Sequence, residues 1–153
     1  MSQQVIDDKR EIRELVDNWA IFSDSGDWER FARCWHDDGY MCATWFQAPS
    51  GDFIRARREG FEKGVSIIHF HGGFTCDVEG DRAISQTKMT ISQRAPVHDV
   101  LVDVVCTGRF YDFFEYNLSI FKIVIPINAD QQRSRPNKVK IRLNDNVGQV
   151  CDI

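Results

Sequence analysis

Ile67-Ile68-His69-Phe70-His71-Gly72-Gly73-Phe74-Thr75-Cys76-Asp77-Val78 is the stretch at which the chain changes its period. Upstream of Gly64, apolar residues recur at spacings of three and four. From Ile67 onward the pattern is that of strands, with side chains pointing to alternate sides. Glu79-Gly80-Asp81 has the composition of a turn. A second strand is predicted from Ala83 to Arg94, with Ala83, Ser85, Thr87, Met89 and Ile91 on one side. Ala95-Pro96-Val97-His98 reads as a break. Asp99 to Glu115, rich in Val, Phe and Tyr, reads as a long third strand, and Leu118 to Ile125 as a last one.

Working back from Gly64, Ile12, Leu15, Val16, Trp19 and Ala20 form a helical stripe within a helix predicted from Ile6 to Asp24. Ser23-Asp24-Ser25-Gly26-Asp27 ends it. Asp27 reads as the cap of a second helix with Trp28, Phe31, Ala32 and Trp35 on one face, closed by His36-Asp37-Asp38-Gly39. Tyr40 to Phe46 reads as a short strand, Gln47-Ala48-Pro49-Ser50-Gly51 as a loop, and Asp52 as the cap of a third helix reaching about Lys63. Three helices followed by antiparallel strands make an α+β arrangement. The helices cover one apolar face of the sheet, and the concave space between them is the natural place for a ligand.

The 153 residues fit one core. An apolar fraction of 42% and a charged fraction of 27% are those of an ordinary globular chain. The net charge of −4 argues against general binding to nucleic acid or to acidic membranes. No apolar run is long enough to span a bilayer. The stretch from Met1 to Asp8 has neither the basic nor the apolar region of a signal peptide, so a cytoplasmic location is the default expectation. The five cysteines are scattered without a Cys-x-x-Cys pair and read as reduced, mostly buried thiols. The run Val100 to Val105 is apolar on both sides apart from Asp103. One side of the sheet therefore needs a second cover, and a homo-oligomer, dimer or trimer, is expected.

The candidate chemistry lies in Asp24, at the end of the first helix, and His71, on the first long strand. Brought together, they form a dyad: the carboxylate fixes the ring tautomer and the free ring nitrogen takes a proton from a substrate. A neighbouring carboxylate also raises the imidazole pKa. Asp24 fits a solvated turn residue as well, and His71 a satisfied structural histidine. His69 shares a face with His71, so the His-x-His pair with Asp24 also has the makings of a metal site, although no further ligand stands at useful spacing. Arg109 sits mid-strand and calls for an anionic partner, either Asp112, Asp24 or a substrate group. Phe22, Trp45, Phe46 and Phe70, with Trp19 and Phe110, are candidates for an apolar lining, or for plain core.

Several segments resemble a known group. Ile12-Arg13-Glu14-Leu15 through Asp24 is followed by Asp27-Trp28-Glu29-Arg30-Phe31 through His36-Asp37-Asp38-Gly39. Then come His71-Gly72-Gly73, Gly80-Asp81-Arg82-Ala83 and Gly108-Arg109-Phe110-Tyr111-Asp112. In order and spacing the chain resembles a SnoaL-like domain of the nuclear-transport-factor-2-like superfamily, over residues 5 to 115. The resemblance implies a cone-shaped barrel, a curved, mostly antiparallel sheet wrapped around N-terminal helices. In hexachlorocyclohexane dehydrochlorinase and scytalone dehydratase an aspartate ending the first helix and a histidine on the first long strand lie inside the cone. By resemblance His71 is the base and Asp24 its orienting partner. The reaction implied is removal of a proton from carbon with loss of water or halide, in a cofactor-free, metal-free lyase of the dehydratase or dehydrohalogenase type, with an isomerase or cyclase as the alternative. Its substrate would be a small apolar cyclic or polyketide-like molecule, with Trp45, Phe46, Phe22, Phe70, His69 and Arg109 around it. The same fold also serves as a non-catalytic ligand-binding or assembly domain. The likeness departs after Glu115, where the chain reads Tyr116-Asn117-Leu118-Ser119, and a domain 1–125 is set apart from an atypical polar tail, 126–153. The tail carries five basic and three acidic residues, hence +2, which leaves −6 elsewhere. Val139, Ile141 and Leu143 alternate within it as an edge strand would.

Overall fold

The computed structural model describes residues 2–43, 46–117, 120–128 and 140–143. Helix α1 spans Gln3–Ser25. Its N-cap, Ser2, accepts a hydrogen bond from the Val5 amide at 3.3 Å. Its C-cap, Gly26, adopts the left-handed conformation at φ 75° and donates its amide to the Phe22 carbonyl. Asp27 caps α2 (Trp28–Arg33) through the Arg30 amide, as its sequence position predicts. Strand β1 is shorter than predicted, Tyr40–Cys42, and pairs with β2, Gln47–Pro49, where the sequence reads as a loop. Helix α3 (Ser50–Glu62) starts after Pro49 with no side-chain cap. Asp52 lies within its first turn instead, bonded to Arg55 at 2.7 Å.

Four long strands follow: β3 (Ser66–Glu79), β4 (Arg82–Val97), β5 (Val100–Asn117) and β6 (Ile120–Asn128). The sheet order is β2-β1-β6-β5-β4-β3, and all pairings are antiparallel except β1 with β6. A further strand, β7 (Lys140–Leu143), pairs with the first half of β5, opposite Val102 to Val105. The edge strand expected in the tail is thus present at Ile141 and Leu143, while Val139 lies outside the described residues. The sheet is open rather than closed on itself, and it curves over the helices as an α+β cone.

Pro96 does not break β4. Val97 and Val100 pair directly across His98 and Asp99, whose φ values of 47° and 65° are those of a two-residue hairpin turn. β3 begins at Ser66, opposite Arg94, so beyond Arg94 no described strand pairs with that edge of β4. The amide that Pro96 lacks has no ladder partner to lose there.

The inward side of β4 is the predicted one: Ala83, Ser85, Thr87 and Met89 are all buried. From β5, Phe110, Asp112 and Phe114 join them. Val102 is buried on this same phase, while Val100, at the hairpin end, is exposed. Ile12, Val16, Trp19 and Ala20 of α1 fill the cone with Phe31, Trp35 and Phe53. Trp19 is the hub, with ring centroids 5.4 Å from Phe31, 6.2 Å from Trp35, 6.3 Å from Phe53 and 6.0 Å from Phe110. β6 is tied to the helices by polar bonds: Ile123 donates to the Cys34 carbonyl at 3.0 Å, and Phe121 donates to Glu11 at 2.8 Å. Cys34 and Cys76 are buried thiols pushed up to about 12 and about 11 by burial, and Cys42 and Cys106 are half-buried.

Gly26→Ala tests the turn that delivers Asp24 and Asp27. An added Cβ would stand 3.0 Å from the Phe61 ring at a positive φ. The expected loss is about 1–2 kcal/mol, read from urea unfolding. Gly51→Ala, with open space around it in α3, is expected to gain about 0.5–1 kcal/mol.

Candidate functional site

The site is built by laying α1 against β3. His69 and His71 both point inward, because side chains two apart on a strand share a face. Between His71 and Phe74 the register shifts: Gly72 and Gly73 together stand opposite Lys88. This bulge lets His69 and His71 face the cone and then returns Phe74, Cys76 and Val78 to the same side. On α1, Asp17 and Asp24 lie seven residues apart, two turns along one face. The helix and strand run in opposite senses, so two carboxylates meet two imidazoles.

The pairing differs from the one expected. Asp24 does not orient His71; it binds His69, accepting from the ring at 2.7 Å (Nδ1 to Oδ1) and from the His69 backbone amide at 2.7 Å (Oδ2). His71 pairs through Nδ1 with Oδ1 of Asp17, at 3.1 Å. Asp17 in turn accepts from Arg13 Nε at 2.8 Å. The sequence signal for Asp17 is its spacing of seven from Asp24, matched to a His-x-His pair. Position at the helix end singles out Asp24 and passes over it. Both imidazoles are almost wholly buried, their side chains 6% and 5% exposed.

Nε2 of His71 is buried and has no hydrogen-bond partner among the described residues. The ring lines a small cavity together with Val16, Trp19, Met41, Phe110, Asp112 and Ile123. The cavity has about 10 Å³ of room for the centre of a water molecule, space for one water. Burial holds the His71 pKa below the usual 6.5. The hydrogen bond and charge of Asp17 act the other way, and His69 and Arg13 add to the lowering. The rise expected from a neighbouring carboxylate is therefore outweighed by desolvation. At neutral pH the ring is neutral, and the carboxylate at Nδ1 keeps its hydrogen there. The lone pair is then on Nε2, the atom buried in the cone.

Asp112, absent from the sequence-based candidates except as a partner for Arg109, is the second titratable group of this cavity. It is 4% exposed, with Ser85 Oγ at 3.3 Å from Oδ2. Burial pushes its carboxyl up to about 7, against a smaller downward pull from Ser85. Its signal in the sequence is phase: Phe110, Asp112 and Phe114 alternate, so Asp112 shares the side of two aromatic core residues.

Of the other expected residues, Trp45 lies outside the described residues. Phe46 is half-buried against Phe53, with centroids 5.6 Å apart. Phe22 packs at the rim of the core under the Arg30 guanidinium. Phe70 is 60% exposed on the outer side of the sheet. Arg109 is likewise exposed, opposite Lys88 across the strand pair. Neither reaches the cone, because both stand in the outward phase of their strands. Among the described residues no group of three His, Cys, Asp or Glu side chains is arranged to hold a metal ion. No helix there is long and apolar enough to cross a membrane.

The sequence pattern of the SnoaL-like domain matches residues 4–123. Pea pathogenicity protein 2 of Fusarium vanettenii is 37% identical over 111 residues, 71% of this chain and 48% of that protein. An uncharacterised protein of Emericella nidulans is 33% identical over 111 residues, again 71% of this chain and 47% of its own length. The chain thus spans about half the length of the curated relatives it matches. Among solved structures, a hexachlorocyclohexane dehydrochlorinase superposes with a TM-score of 0.75 at 10% identity, over 94% of this chain and 95% of that one. A scytalone dehydratase-like protein of Novosphingobium aromaticivorans superposes with a TM-score of 0.72 at 14% identity, over 99% and 96%. At these identities the likeness shows the nuclear-transport-factor-2-like fold.

Asp112 makes a prediction about stability. Its folded pKa of about 7 lies above the ordinary 3.8 of an aspartate, so the folded state binds the proton more tightly than the unfolded one. That contribution is complete below about pH 4 and is lost as pH rises through about 7. Urea unfolding is expected to show wild type losing a few kcal/mol relative to Asp112→Asn between acid and mildly alkaline pH, since each tenfold difference in proton affinity corresponds to about 1.4 kcal/mol. Parallel curves for the two proteins would show that Asp112 ionises freely in the fold.

Proposed function

Since the chain belongs to the SnoaL-like domain family, we propose that it is a cofactor-free lyase of the dehydratase type, in which His71 takes a proton from carbon of a small apolar cyclic or polyketide-like substrate. The observation that carries this reading is Nε2 of His71, a buried imidazole nitrogen without a hydrogen-bond partner among the described residues, on a ring that lines a small, largely apolar cavity. A base of lowered pKa in a dry site is active at neutral pH, and the low dielectric strengthens the field of the groups around it. Asp17 takes the orienting role that the sequence assigned to Asp24. Asp112, protonated up to about pH 7, lines the same cavity and supplies the proton that a departing hydroxyl requires. Asp24 and His69 brace α1 against β3 beside this site.

The size of the cavity favours a second reading. Room for one water is far below the roughly 300–1,000 Å³ of typical ligand sites. A filled cone suits a non-catalytic binding or assembly domain. Exposed Ile68, Phe70 and Ile84 on the outer side of the sheet support self-association in either case.

The two readings separate in an assay on a panel of cyclic β-hydroxy ketones, followed by absorbance of the conjugated product. An enzyme of the proposed kind gives a bell-shaped pH profile. Its acid limb lies below the ordinary histidine pKa of 6.5, where His71 becomes protonated, and its alkaline limb at about 7, where Asp112 loses its proton. His71→Ala is expected to lower turnover by about 10²–10⁴-fold. Asp17→Asn should also be slow with the fold intact, and Asp24→Asn should cost less. Equal rates for wild type and His71→Ala would leave only the binding role. For self-association, light scattering is expected to give a dimer or trimer, and a monomer at high concentration would exclude it.

A further inference from the structure

Arg13 stands one turn before Asp17 on α1 and makes three contacts. Nε donates to Asp17 Oδ2 at 2.8 Å, and Nη1 donates to the Gly72 carbonyl at 3.1 Å. The guanidinium carbon lies 5.3 Å from the centroid of the Phe74 ring. One planar group thus joins the helix, the bulge and the strand beyond it. The carboxylate of Asp17 is divided: Oδ2 faces Arg13 and Oδ1 faces His71.

Asp17 needs such a clamp. Its side chain is 39% exposed, and it lines an open groove on the outside of the cone with Arg13, Lys9, Glu14 and Phe74. His71 lines the smaller, less open cavity of the core. The His71–Asp17 pair therefore connects that cavity with the solvent-facing groove. A half-exposed carboxylate ordinarily exchanges among rotamers and water, and an exposed i,i+4 ion pair holds it only weakly. Here the donors of the guanidinium fork diverge, one to the carboxylate and one to a backbone carbonyl, and the ring of Phe74 fixes the plane.

We propose that Arg13 is a positioning residue of the site, acting through Asp17 to hold His71 in the Nδ1–H tautomer with Nε2 turned to the cavity. The proposal rests on His71 as the base of the lyase reaction, but its test does not require turnover. The charged or titratable groups around His71 are Asp17 and Arg13 from α1, His69 on its own strand and Asp112 from β5 at the cavity. Arg13 as a bare charge lowers the affinity of His71 for a proton, and Asp17 raises it. Removing Arg13 therefore has opposite consequences under the two accounts. If Arg13 is only a charge, His71 titrates at higher pH without it. If Arg13 holds Asp17 in place, His71 loses its partner and titrates at lower pH.

Long-range proton–nitrogen spectra of the ¹⁵N-labelled full chain, with His71 assigned by its loss in His71→Gln, decide between them. Wild type is expected to show a single Nδ1–H tautomer. Arg13→Gln is expected to show mixed tautomers and a titration moved down by roughly one pH unit. Arg13→Lys, which keeps the charge but not the fork, is expected to move in the same direction, and Asp17→Asn to show the same mixing. Backbone amide spectra report whether each variant is folded. Should Arg13→Gln not fold, Arg13→Lys alone carries the comparison. A single tautomer retained in the folded Arg13 variants, or a titration displaced upward in Arg13→Gln, overturns the proposal. If His71→Ala leaves turnover on the ketone panel unchanged while the Arg13 variants mix the tautomers, the lyase reading falls and the positioning role stands.

Discussion

The site depends on one extra residue in β3. A strand alternates strictly, so without the bulge at Gly72 and Gly73 the inward phase set by His69 and His71 would turn Phe74, Cys76 and Val78 outward. With it, one strand serves two tasks: its first half presents imidazoles and its second half packs core. The bulge also leaves the Gly72 carbonyl turned toward α1, where Arg13 binds it. The helix is thereby fixed to the strand at the same point where the strand changes phase, and the two carboxylates of α1 fall opposite the two imidazoles.

The electrostatics follow from depth. Asp24 gives both oxygens to His69, one to its ring and one to its backbone, which makes that pair a brace between helix and strand. Asp17 gives only one oxygen to His71, and His71 keeps a nitrogen free in the cavity. Burial then acts on two groups of opposite kind. It disfavours the cationic form of His71 and the anionic form of Asp112, so the affinities of the two groups for a proton converge. Below about pH 7 Asp112 is predominantly protonated, while the lowered pKa of His71 keeps its ring neutral to more acid pH than an ordinary histidine. A neutral pair avoids the cost of burying an unpaired charge in a cavity of mostly apolar walls.

The architecture was legible wherever periodicity is strong. The stripe of α1, the Asp27 cap and the inward set Ala83, Ser85, Thr87 and Met89 all stand where the residues place them. Local chemistry misled at Pro96, whose missing amide falls on an edge with which no described strand pairs, and at Asp52, which lies inside its helix rather than before it. The site was half legible. That an aspartate of α1 meets a histidine of β3 could be read; which aspartate meets which histidine could not. That choice depends on the axial register of a helix on a strand, and a shift of two helical turns is invisible in either element alone. Arg109 and Phe70 failed for a different reason. Each looks buried among apolar neighbours in sequence, but each stands in the outward phase of its strand, as Lys88 opposite Arg109 shows.

The remaining tension is between a site that is chemically poised and a cavity with room for one water. The walls differ in how firmly they are held. Phe110 and Asp112 belong to a strand paired along its length, and Val16 and Trp19 to a helix packed across the core. Met41 belongs to β1, three residues long and joined to β6 by a single pair, Cys42 with Ile127. Methionine is also the most adaptable of the lining side chains, unbranched and easily repacked. Met41, paired only with Ala48 of β2, is therefore the lining side chain whose repacking disturbs the fewest strand pairs. Repacking there leaves the contacts of Asp17 with His71 and of Arg13 with Gly72 in place, because both lie between α1 and β3.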